Sequence, residues 1–92
     1  MLCIATTIYD PGALTSICRR IQAPAEHPRG NGYTWCIRLS GLHAPITVNT
    51  LTGVVIYDRR DNGFGRYGRI MRFIHRVYYA QAQRRLQASQ AA

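Results

Sequence analysis

Ninety-two residues, 47% of them apolar, make one small domain spanning 1–92, enough to bury about 60–65% of its unfolded surface. The twelve basic side chains are all arginine and face four acids, Asp10, Glu26, Asp58 and Asp61, for a formal net charge of +8. Regularly placed apolar residues exclude wholesale disorder, and no apolar run reaches the ~20 residues of a membrane span.

The opening Met1-Leu2-Cys3-Ile4 lacks the basic leader of a signal peptide, so the expected location is cytoplasmic. Leu2 to Tyr9 carries Ile4, Thr6, Thr7 and Ile8, a β-branched run that reads as a strand. Asp10-Pro11 then suits a helix start, because Asp10 can cap free amides and Pro11 fits the first helical position. Leu14, Ile17, Cys18 and Ile21 recur at helical spacing and predict a short amphipathic helix. The rival is a hairpin turned at Asp10-Pro11-Gly12, since Thr15, Ser16 and Ile17 are weak helix formers.

Ala23 to Gly32 holds two prolines, two glycines and Asn31, and reads as a loop. A three-stranded antiparallel meander follows. Tyr33, Trp35, Ile37 and Leu39 alternate with Thr34, Cys36, Arg38 and Ser40, giving one buried and one wetter face. Ile46 and Val48 lie on the second strand, and Val54 to Tyr57 form the third. A glycine-rich connection, Asp58 to Gly68, leads into a long basic helix from Arg69 to about Leu86. Ile70, Phe73, Ile74, Val77 and Tyr78 share its apolar side. Past Ala80 that stripe gives out, so the helix end is expected to project or fray, and the small, polar 87–92 segment to be a mobile tail. The fold class is therefore α+β: a small antiparallel sheet, the meander plus the N-terminal strand, packed against a long C-terminal helix, with a short first helix.

Eight of the twelve arginines fall between Arg59 and Arg85, and nothing after Asp61 is acidic. Arg69, Arg72 and Arg76 stack along one side of the last helix, with Tyr79 and Gln83 extending the row. An ordinary polar helix face mixes glutamate with arginine for i,i+4 pairing; this one has none. Guanidinium forks grip phosphate two bonds at a time, so an acid-free arginine field points to a polyanion: nucleic acid, a ribonucleoprotein or an acidic protein face. Arg59, Arg60 and Arg66 would extend the strip along the preceding loop, unless Asp58 and Asp61 tie Arg59 and Arg60 into local ion pairs. Phe64 and Tyr67 could stack a base or touch a partner, or Phe64 could pack on the sheet.

Other chemistry finds little footing. Cys3, Cys18 and Cys36 form an odd set without zinc-ligand spacing to each other or to His27, His43 and His75, and behave as small reduced apolar residues. No nucleophile–base pair can be named, Asp58 and Asp61 serve better to neutralise arginines than to hold a metal, and His75 falls on the solvent side or boundary of the helix. The expectation is a non-catalytic protein without cofactor or metal.

Gly63-Phe64-Gly65-Arg66-Tyr67 resembles part of the ribonucleoprotein signature of RNA-recognition motifs, but Arg66 stands at an aromatic position and the segment lies in a loop. The order helix, three strands, helix resembles a double-stranded-RNA-binding domain, without that family's lysine box and with an extra N-terminal strand. As a whole the chain resembles small phage-encoded anti-CRISPR proteins that act on type I surveillance complexes. The similarity rests on Leu2 to Tyr9, on Ile46 to Tyr57 and on the closing basic helix. It implies a ribonucleoprotein partner, contacted at guide RNA or backbone subunits. A +8 chain cannot imitate DNA, so the implied inhibitor would lay arginines over the guide phosphates and obstruct pairing with target DNA.

Overall fold

The computed structural model describes residues 1–4 and 7–91; the side chains of Arg66 and Ala91 lie outside that description, as do Ala5, Thr6 and Ala92. The chain runs β1 (Leu2–Ile4), α1 (Pro11–Arg20), β2 (Ala25–Glu26), β3 (Thr34–Ile37), β4 (Ile46–Asn49), β5 (Val54–Tyr57), two short 3-10 turns and α2 (Arg69–Ala91). The architecture is α+β, a five-stranded antiparallel sheet in the order β1-β5-β4-β3-β2. Because β1 and β2 are the two edges, α1 carries the chain from one side of the sheet to the other.

Local chemistry settles the first helix. Asp10 accepts the amides of Gly12 (2.9 Å) and Ala13 (3.3 Å), and Pro11 occupies the first turn. Ala13, Leu14, Ile17 and Cys18 then face inward, so burial of the stripe outweighs the modest propensity of the Thr15-Ser16-Ile17 segment. The helix forms and the rival hairpin does not.

The meander stands where the alternation places it. Trp35 pairs with Val48 and Val48 with Val55, which puts three buried residues in one cross-strand row. Ile37, Ile46 and Tyr57 share that face, and both helices pack on it through one cluster that includes Ile8, Leu14, Ile17, Ile70, Phe73, Ile74 and Val77. Each fully buried Ile or Leu in the cluster contributes about 1.5–3 kcal/mol of transfer free energy. The opposite face presents Cys3, Ile56, Thr47, Cys36 and Glu26 in a second row, half-buried or exposed.

Three expectations need correction. The 23–32 loop contains a strand, β2, whose two residues pair with Ile37 and Cys36. The first strand does not reach Tyr9: it is described over Leu2–Ile4, Ala5 and Thr6 lie outside the described residues, and Thr7 and Ile8 donate their amides to the Gly53 carbonyl instead of joining a ladder. The last helix neither stops at Leu86 nor leaves the body at Ala80. Its inward stripe continues with Gln81, only 7% exposed, which accepts the amides of Tyr9 (2.7 Å) and Asp10 (3.0 Å) and donates to the Thr7 carbonyl (2.9 Å). One turn on, Arg84 donates to Asp10 (2.7 Å). The projecting part begins after this anchor. Residues 87–91, expected as a mobile tail, continue the helix with Gln87 to Gln90 exposed.

Candidate functional site

Arg69, Arg72 and Arg76 are all exposed and rise along one side of α2 over ~10 Å of axis. They do not lie on a plain convex face. They border a groove of about 740 Å³ between α2, the end of α1 and the segment after β3. Buried Phe73 and half-buried Ile21, Ala23 and Leu39 line its base. The segment after β3 supplies a fourth arginine, Arg38, so four arginines line one apolar-based groove of a size typical for ligand sites.

Two contacts set the wall. Arg69 donates through Nη1 to the Ser40 carbonyl and to Ser40 Oγ, the latter at 3.2 Å. Gly41 makes this approach possible: its φ is +84°, and a Cβ there would meet the Arg69 guanidinium at 2.9 Å. The dipole adds to the charge, because α2 begins at Arg69 with no acid in its first turn, so Arg69 and Arg72 sit at the partial positive end.

Three of the four acids are occupied elsewhere. Asp10 caps α1 and holds Arg84, and Asp58 makes a two-point pair with Arg60 (3.2 and 3.0 Å). Asp61 turns inward, its side chain 2% exposed, and accepts the amides of His43 (2.8 Å) and Ala44 (3.2 Å) and the His43 ring Nδ1–H (2.7 Å). Among the described residues, no ion pair falls on Arg38, Arg69, Arg72 or Arg76.

The carboxyl groups register these contacts. The side-chain and amide hydrogen bonds from Arg60 pull Asp58 down to about 2. Burial works to raise Asp10 and Asp61, yet both titrate below the ordinary carboxylate range: Arg84 and the α1 amides outweigh it at Asp10, His43 and the Ala44 amide at Asp61. Burial pushes the Cys18 thiol up to about 11, which suits an inert core cysteine.

The strip expected across Asp58 to Arg76 therefore divides. Arg69, Arg72 and Arg76 come together, joined by Arg38, which read in the sequence only as the wet side of a strand. Arg60 is paired with Asp58 in a 3-10 turn (Arg59–Asp61); Asp61 adds only a longer-range attraction without an ion pair, and Arg59 is exposed. The Arg66 side chain falls outside the described residues. Phe64 does not pack on the sheet: it is 89% exposed with φ 66°, while Tyr67 is 69% exposed in the second 3-10 turn, Gly65–Tyr67. Neither lines the groove. The connection closes on itself, since a Cβ at Gly68 would collide with the Gly63 carbonyl. Gly63 to Tyr67 forms turns, not a strand, so no sheet face displays its aromatics.

His75 is exposed, as its position on the helix requires. Among the described residues, no three His, Cys, Asp or Glu side chains are grouped to hold a metal ion, and no helix is long and apolar enough to cross a membrane. Compared with family models, curated proteins and solved structures, the chain has no match.

Proposed function

We propose that this protein is a non-catalytic binder of nucleic-acid phosphates that acts on a ribonucleoprotein through the arginine groove. The observation that carries the reading is the placement of Arg38, Arg69, Arg72 and Arg76 along one groove with no carboxylate among its lining residues. Four clustered guanidinium groups repel one another, and an anion between them relieves that repulsion while filling their donor forks. No proton transfer, nucleophile or cofactor is needed for this work.

The whole-chain resemblance to anti-CRISPR proteins supports a particular form of the reading. A surveillance complex holds its guide RNA as an exposed strand, and a basic protein seated on the guide phosphates obstructs hybridisation with target DNA. The site of action is then the cytoplasm of the infected cell. A second reading, an acidic protein segment docked in the groove, is favoured by the apolar base at Ile21, Ala23, Leu39 and Phe73.

The test titrates purified protein into labelled guide RNA, free and within an assembled surveillance complex, and follows binding of target DNA by the complex. The expected result is retention on the complex, loss of target binding, and salt-sensitive binding to the free strand with a log–log slope near about −2.8 for four phosphates. Retention that survives ribonuclease would favour the acidic-protein reading. No binding to RNA or to the complex would overturn the proposal.

A further inference from the structure

The groove has a continuation along α2. At ~100° per residue, Arg69, Arg72, Arg76, Tyr79 and Gln83 fall within an arc of about 80° on one side of the helix. All five are exposed. Tyr79 follows Arg76 by three residues and is 68% exposed, a large aromatic surface in water. Its ring meets Tyr78 edge-on, with centroids 6.2 Å apart and planes at 76°. At that angle Tyr78 can cover at most one face of the Tyr79 ring, so ring surface stays open to stacking.

Resting on the phosphate-binding reading above, we infer that the groove and Tyr79 together form a site for single-stranded nucleic acid, with backbone phosphates among the arginines and one base stacked on Tyr79. Two observations select the single strand. The arginines line a concavity of about 740 Å³, whereas a base-paired duplex presents its phosphates on a rigid, convex surface. A flexible strand can enter the concavity. The tyrosine beyond the last groove arginine meets a base only if that base is unpaired, because paired bases offer their faces to their neighbours. Stacking tolerates any base, so the site carries little sequence preference. An acidic peptide would use the arginines but would gain nothing comparable from the tyrosine.

Fluorescence anisotropy with a labelled uridine 12-mer and a 12-base-pair duplex, at matched salt, tests this on the full chain. The expected result is at least tenfold tighter binding of the single strand. Tyr79→Ala should weaken that binding roughly tenfold without changing its salt slope, Tyr79→Phe should retain it, and Arg38→Gln should weaken binding and flatten the slope. Circular dichroism of each variant checks that the helix persists. Equal affinity for duplex and single strand, or a Tyr79→Ala protein that binds like the wild type, would overturn the inference while leaving phosphate binding intact. Failure of every nucleic acid to bind would overturn both.

Discussion

Six of the twelve arginines of this protein fall into two contrasting groups. Arg60 and Arg84 each lie against a carboxylate, Asp58 and Asp10, and in each pair the acid also caps a helix or turn. Arg38, Arg69, Arg72 and Arg76 gather around one groove to which no acid is supplied. The difference shows that in a chain of net charge +8 the position of four acids matters more than the sum. Three of those acids hold local structure together. The groove is among the surfaces they leave uncovered, and it can still take up an anion.

The comparison breaks most easily through the core beneath the groove. Phe73→Ala removes a buried ring one position from Arg72 and should cost about 3–5 kcal/mol, read by urea denaturation. If the loss is small, α2 does not hold the groove wall through its apolar side. Gln81→Ala is the next largest change. It strips two amides and a carbonyl of their shared partner and should cost about 2–3 kcal/mol. Hydrogen exchange at Tyr9 and Asp10 should quicken in the same variant.

Gln81 also marks the limit of what the sequence displays. The meander, the α1 cap and the arginine stack along α2 are legible because each depends on short-range periodicity or on one capping residue. A glutamine after an apolar stripe reads as the end of burial. Here its side chain meets the backbone at Thr7, Tyr9 and Asp10, more than seventy residues away, and no local pattern records that. β2 is hidden for a similar reason, being two residues between Pro24 and Pro28 that pair only because β3 offers an edge. Arg38 could not be joined to the α2 row from spacing, since the groove exists only once the segment after β3 lies beside α2. Phe64 misled in the other direction: its apolar side chain suggested packing, but a left-handed backbone between two glycines turns it to solvent.

The acid-paired population has a signature in pH. Asp10, Asp58 and Asp61 all titrate below the ordinary value of 3.8 in the folded chain. The unfolded chain therefore binds more protons as the medium acidifies, and their stabilisation, complete above the ordinary carboxylate value, is lost as pH falls toward 2. The melting temperature should drop between pH 5 and 2.5. Asp61→Asn should start lower at pH 5 and lose less over that range. A variant that falls as steeply as the wild type would remove Asp61 from the set of anchors. A smaller effect is expected from Arg84→Gln, which loses a surface pair: less than about 1 kcal/mol, with nucleic-acid binding unchanged.

The sharpest contrast combines the least expected loss of stability with the greatest loss of binding. Replacing Arg69, Arg72 and Arg76 together with Gln removes the Arg69 contact to Ser40 but also relieves repulsion among like charges. Those effects oppose each other, and the net change in stability should stay within about 1 kcal/mol. Three of the four groove cations are gone, so the slope of binding against salt should fall from about −2.8 toward −0.7 and affinity for a single strand should collapse. Arg60→Gln, removing a cation already held by Asp58, should leave that slope unchanged. If the triple variant unfolds, the row serves the fold rather than a partner. If it folds and Arg60→Gln flattens the slope as much as loss of a groove arginine, charge total rather than position governs binding, and the division between the two populations fails.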